Sequence, residues 1–254
     1  MAQFKMQKVT FFAPRTVIFG KIILAMAEKY NATNIPLEQI LGYIKSGEIA
    51  IPEIQRPFVW KPRQVRDLID SLYIGYPTGY LIISQSPDMK LKDGSKASGR
   101  RIMIDGQQRV TALMTAIAGI EVIDANFNKR RIKIAFNPLA DPENEEELFK
   151  VQDNAILKDR RWIPDIAEIF RPTFDLWSFV NEYCSRNAEI SGSELNKVLM
   201  RLLDIKNRQI GVITLDKELT IDEVTEIFIR INSQGAKLNQ ADFAMSKIAA
   251  NTHY

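Results

Sequence analysis

The chain alternates between two hydrophobic periods, and the switch between them predicts its elements. Leu37, Ile40, Leu41 and Ile44 recur at helical spacing behind Asn34-Ile-Pro36, and Gly47 ends that helix. Residues 49–60 carry two prolines and read as an extended segment. Lys61-Pro62 then opens a helix with Val65, Leu68, Ile69 and Leu72 inward and Arg63 and Arg66 on its polar side. Gly75-Tyr-Pro77 breaks it. Tyr80–Ile83 and Ile102–Ile104 read as strands, separated by a polar loop over 86–100. After Asp105-Gly106, apolar positions 110, 113, 114, 117 and 118 return to helical spacing.

Downstream, 131–136 alternates like a strand, and 138–147 is an acidic turn region. A short strand is expected at 148–151 and a turn at Trp162-Ile-Pro164. Helices are expected at 165–170, 174–187 and 193–208, a strand at 209–215, and helices at 220–231 and 238–250. This is a mixed α/β (α+β) chain without an internal repeat. Residues 1–30 are expected to lie outside the fold, 31–140 to form the core, and 141–250 to form a mainly helical part with one strand near 209–215.

The N-terminal apolar run 17–27 follows Lys5, Lys8 and Arg15 and ends in Ala25-Met-Ala27, which imitates a signal-peptidase site. Lys21 interrupts it, and it falls short of the roughly 20 residues a membrane span needs. Met26 is an alternative start. A cytoplasmic protein with no membrane association is expected. The last apolar helical face meets no stop signal before Tyr254, so a truncated chain is expected.

Composition narrows the chemistry more than the class. Hydrophobic residues make up 46% and charged residues 26%, an ordinary globular balance, and a net charge of +3 neither argues for nucleic acid nor opposes it. The chain has one cysteine, Cys184, and one histidine, His253. Disulfide frameworks, zinc sites, histidine triads and histidine-metal nucleases are therefore disfavoured. Cys184 reads as a small buried hydrophobe. Chemistry here must run on carboxylates, amides, Arg and Lys.

Those groups concentrate in Asp105-Gly106-Gln107-Gln108-Arg109, between a strand and a helix. Asp105 sits where an N-cap would sit, and Gly106 permits a tight turn with backbone close to a ligand. Free N–H groups at a helix start attract anions, and Arg109 can add a charged fork. An ordinary capped helix explains Asp105 equally well. It does not explain two glutamines and an arginine in the first turn. No Walker A pattern is present.

Three stretches occur in order: Gln55-Arg56-Pro-Phe-Val-Trp60, Ile104-Asp-Gly-Gln-Gln-Arg109 and Phe228-Ile-Arg230-Ile-Asn232-Ser-Gln-Gly235-Ala-Lys-Leu238. Together they resemble the DUF262 family, the N-terminal domain of GmrSD-type restriction systems in the ParB/sulfiredoxin-like superfamily. The resemblance covers roughly residues 34–250. It implies a ParB-like core with a helical elaboration. It further implies a role in defence against foreign, modified phage DNA, with NTP and Mg²⁺ as cofactors. An HNH-type nuclease, in a following domain or a separate chain, is the implied partner.

By that resemblance the Asp105–Arg109 turn takes the nucleotide role. Gly106 and Arg109 would hold phosphate, Asp105 would orient water or Mg²⁺, and Gln107 or Gln108 would position an attacking water. Gln55 and Arg56 are candidate phosphate ligands. Arg56, Trp60, Arg63 and Arg66 are candidate nucleic-acid contacts, although Phe58 and Trp60 serve equally well as core anchors. Arg230 and Asn232 are second-rank ligands on a helix-ending turn. The basic groups Arg100-Arg101, Lys129-Arg130-Arg131 and Arg160-Arg161 read as solvated surface or as parts of a DNA-facing patch. The leading expectation is a nucleotide-binding, NTP-hydrolysing sensor domain of a modification-dependent restriction system. The rivals are a non-enzymatic DNA-binding switch and a metal-dependent nuclease.

Overall fold

The computed structural model describes residues 29–51, 57–85, 101–124, 126–141 and 144–232. The central element is a five-stranded mixed sheet in the order β1-β9-β3-β4-β2. Its strands are β1 (Tyr30–Pro36), β2 (Ile49–Ala50), β3 (Leu81–Ser84), β4 (Arg101–Asp105) and β9 (Gln209–Leu215). β1 runs antiparallel to β9, β9 parallel to β3, β3 antiparallel to β4, and β4 parallel to β2. Two ribbons stand apart from it. One pairs β5 (Val122–Ile123) with β6 (Lys129–Arg130), the other β7 (Ile134–Phe136) with β8 (Phe149–Val151).

Both faces of the sheet are covered, which is why β3 and β4 read as apolar runs. Leu81, Ile83 and Met103 point into the main core with α1 (Leu37–Lys45), α2 (Pro62–Ile74) and α3 (Gln107–Ala116). Ile82, Ile102, Ile104 and Leu215 point the other way, onto Leu219 and onto Val224 of α7 (Ile221–Asn232). α2 starts with proline in its first turn and ends on Gly75 at φ 92°. It buries Val65, Leu68, Ile69, Leu72 and Tyr73. Tyr73, Phe136 and Phe149 meet at centroid distances of 5.0–5.7 Å and join α2 to the β7–β8 ribbon. Beyond the ribbon lie α4 (Ile166–Ile169), α5 (Leu176–Arg186) and α6 (Gly192–Leu203), capped by Asp165, Asp175 and Ser191.

Several expectations change. Asn34-Ile-Pro36 leads into a helix as expected, with Pro36 as the N-cap of α1, but it also closes an unexpected strand, β1, whose seven residues pair with β9 along their whole length. An exposed edge strand of Tyr, Asn, Ala, Thr and Asn is held by its backbone ladder, so hydrophobic periodicity cannot detect it. Lys29 and Tyr30 already belong to the described fold: the Lys29 carbonyl accepts from Asp216 N–H at 2.9 Å and Tyr30 pairs with Leu215. The strand at 209–215 has the expected bounds but lies inside the central sheet, so a division at residue 140 does not follow the sheet. Residues 134–136 are all buried rather than alternating, because both faces of that ribbon are packed. The 193–208 helix ends at Leu203 and tightens into a 3₁₀ turn over Asp204–Asn207. The helix expected at 238–250 lies outside the described residues, as do Gln55, Arg56 and the signal-like run at 17–27. Among the described residues, no helix is long and apolar enough to cross a membrane.

Candidate functional site

The expected strand–turn–helix at 101–118 is present, with a different cap. Asp105 ends β4, and the N-cap of α3 is Gly106, at φ 96° and ψ 7°. The glycine is required there on two counts. Its backbone is left-handed, and a Cβ would stand 2.3 Å from Leu81 Cδ2 and 3.5 Å from Arg109 Nη2. A glycine has no side chain to offer, and among the described residues no side chain caps the N-terminus of α3. The first-turn N–H groups and the positive dipole end of this ten-residue helix lie directly behind that turn.

Arg109 is engaged with its own fold. Its Nη1 donates to the carbonyl of Thr78 at 2.9 Å and its Nη2 to that of Tyr80 at 2.7 Å. Nη2 also approaches Asp105 Oδ2 at 3.4 Å, one helical turn back. Gly79, at φ 83°, lets the loop wrap the guanidinium, since a Cβ there would come within 2.9 Å of Nη1. Burial lowers the Arg109 pKa from its ordinary value and the Asp105 carboxylate opposes that shift; the guanidinium stays charged. The arginine thus clamps the 78–80 loop against the start of α3; Tyr80 on that loop and Tyr76 just before it are both exposed. Local sequence carried no sign of this clamp beyond the break at Gly75-Tyr-Pro77 and Gly79.

The two glutamines differ in what they have left. Gln108 spends both ends on the 57–60 segment, accepting from Val59 N–H at 3.0 Å and donating to the Pro57 carbonyl at 3.2 Å. Gln107 donates to the Met103 carbonyl at 3.2 Å, and among the described residues its side-chain oxygen accepts from none. On its other side the 57–60 segment joins the β5–β6 ribbon, where Phe58 N–H donates to the Ile123 carbonyl at 3.1 Å and Phe58 bridges Asp124. Arg130 completes that wall: it donates to the Trp60 carbonyl at 3.3 Å and stands 3.7 Å from Asp124 Oδ2. The Pro57–Trp60 motif is therefore brought beside the Asp105–Arg109 motif by a side chain, Gln108. Phe58 is buried in the core and Trp60 packs against it.

The other candidates separate. Arg63 is exposed on the first turn of α2, whereas Arg66 is paired with Asp67 and Glu147, each at 2.7 Å. Arg230 is exposed on α7 and pairs with Glu226; Asn232 ends that helix. Of the basic groups, Arg101 pairs with Glu48, Arg130 with Asp124, Arg131 with Asp165, Arg160 with Glu189 and Arg161 with Asp159, whereas Arg100 lies outside the described residues. Among the described residues no three metal-ligating side chains converge, so Asp105 belongs to no such group. One carboxylate suits Mg²⁺ that is otherwise held by phosphate and water, not a protein cage.

Fold and site together define a mixed α/β domain with an uncapped helix N-terminus after a glycine turn, braced from two sides. The chain matches the family of the GmrSD restriction endonuclease N-terminal domain over residues 37–249, and it belongs to that family. It is also similar to an uncharacterized protein of Methanocaldococcus jannaschii, 24% identical over 240 residues, which cover 79% of this chain and 39% of that protein. The chain thus spans about two fifths of the length of that relative.

Proposed function

We propose that this domain binds a nucleoside triphosphate at the N-terminus of α3 and acts as an NTP-dependent sensor in a modification-dependent DNA restriction system. The observation that carries the reading is the uncapped start of α3 behind Gly106, which presents backbone donors and a helix dipole to an anion. Arg109 then works by holding the 78–80 loop and Asp105 in place, adding positive charge at short range. Asp105 takes the Mg²⁺ or water, with phosphate and water completing any metal shell. Gln107 is the better of the two glutamines for placing an attacking water, because Gln108 has no free end. The restriction context rests on family membership. The DNA and HNH-type nuclease partners come with that context, and cleavage would fall to the nuclease.

The commitment of Gln108, and of one end of Gln107, to backbone favours a second reading, in which nucleotide is bound as a switch and not turned over. Phosphate release from each of the four common NTPs, with Mg²⁺ and with or without DNA, separates them. Turnover that falls at least tenfold in Gln107→Ala while nucleotide still binds supports hydrolysis. Binding without phosphate release supports the switch. Absence of binding by calorimetry overturns both.

A further inference from the structure

The ribbon of β5 and β6 carries an aromatic side chain that the fold does not use. Phe127, between the two strands, is 84% exposed and stands at φ 60°, a left-handed backbone that a residue with a Cβ adopts only at a cost. Hairpin turns ordinarily give such a position to Gly or Asn, and Asn stands on either side of it. The turn is firmly built around it. Asp124 Oδ1 accepts from the N–H groups of Asn126 and Asn128 at 2.9 and 3.0 Å, and Phe127 N–H donates to the Asp124 carbonyl at 3.0 Å. Arg130 stands beside Asp124 in turn. A left-handed aromatic residue held out to solvent stabilises nothing within the domain, and backbone strain of this kind gathers at functional sites.

Charge on the same side of the ribbon selects the partner. Ile123 and Lys129 are directly opposed across the two strands, so they share a face, and both are exposed. Exposed Val59 adjoins them through the bond from Phe58 N–H to the Ile123 carbonyl, and Lys61 and Arg63 follow it in the chain. Lys61, Arg63 and Lys129 are exposed and form no ion pair among the described residues, against one unpaired acid, Glu121. Arg101, Arg160 and Arg161, by contrast, each have their acid. An aromatic ring beside unpaired cations suits a polyanion with planar faces, whose phosphates meet the cations and whose base meets the ring. Protein interfaces bury their aromatic anchors near the centre of a packed patch. Phe127 instead stands at the extremity of the ribbon between Asn126 and Asn128, whose amides can hydrogen-bond base edges.

We propose that this face of the β5–β6 ribbon binds DNA, with Phe127 stacked on an unpaired base and Lys61, Arg63 and Lys129 against the flanking phosphates. The choice of DNA rests on the restriction context, and the nucleotide site is not required. The probe is a fluorescein-labelled single-stranded DNA of about 20 nucleotides, longer than a typical single-strand site, titrated with the full chain by anisotropy. Phe127→Ala should weaken it about fivefold or more. The same variant should bind inorganic polyphosphate, which has phosphates without bases, as the wild type does by calorimetry. K61Q/K129Q should weaken both ligands and lower the slope of log affinity against log salt by about 0.7 for each cation removed. Phe127→Gly separates this role from a structural one: it relieves the left-handed backbone, so the melting temperature should rise while DNA affinity falls. The proposal is overturned by unchanged DNA affinity in Phe127→Ala, by an equal loss toward polyphosphate, or by a fall in melting temperature in Phe127→Gly. Loss of self-association in Phe127→Ala with DNA affinity intact assigns the face to a protein contact and also overturns it. Those outcomes leave the restriction reading standing, whereas no DNA binding by the wild type counts against both.

Discussion

Gly106→Ala tests whether the turn before α3 is as constrained as its geometry indicates. Two costs add. A left-handed backbone at a residue with a Cβ costs about 1–2 kcal/mol. The new methyl would stand 2.3 Å from Leu81 Cδ2, far inside the ordinary carbon contact of about 3.5–4.0 Å. Leu81 is only 4% exposed and packed in the core, so its movement is an overpacking cost of about 1–3 kcal/mol. Together they predict a loss of about 2–5 kcal/mol, a large share of a typical domain's stability. Urea unfolding followed by tryptophan fluorescence measures it. Leu81→Ala removes the colliding methyl, so a double-mutant cycle should recover about 1–3 kcal/mol of coupling and leave the backbone cost behind. A Gly106→Ala loss below about 1 kcal/mol, or no coupling to Leu81, would refute the account of this turn.

Three further outcomes follow from neighbouring contacts. Gln108→Ala removes both links to the 57–60 segment and should cost about 1–2 kcal/mol; hydrogen exchange at Val59 should speed up, and unchanged protection there would contradict the brace. Arg131→Met strands the Asp165 carboxylate, which is 9% exposed and caps α4, and should destabilise by about 3–5 kcal/mol on thermal or urea unfolding, with less than about 1 arguing against the pairing. Glu223 is pulled down to about 2 by hydrogen bonds from Lys29 and from Thr220 N–H and Oγ1. Its folded pKa is depressed, so its contribution is present above the ordinary value of 4.5 and is lost as pH falls from there toward about 2. An NMR titration should place its midpoint well below 4.5, and Lys29→Met should raise it.

Elements that bury one face in their own span were legible in sequence. α2, α5 and α7 appear within two residues of the expected bounds, and β9 matches them, because each alternates or recurs at its own period. β1 was not legible, since an exposed edge strand leaves no hydrophobic trace and is held by its ladder to β9. The chemistry divided along the same line. Asp, Gly, two Gln and Arg at the start of a helix could be seen at once as an unusual turn. What each does there depended on groups far away in the chain.

By itself, then, the sequence determined the mixed α/β class, most helices, the strand–turn–helix at 101–116 and the restriction-domain family, all properties of local period and motif. Only the tertiary structure decided that Gly106 rather than Asp105 caps α3, that Arg109 clamps a loop 29–31 residues away and that Gln108 braces another 49–51 residues away. It also placed β9 within the sheet and paired Arg101, Arg131, Arg160 and Arg161 with acids. The reason is that a polar side chain's role is set by which donors and acceptors surround it, and those arrive through long-range packing that no sequence period records.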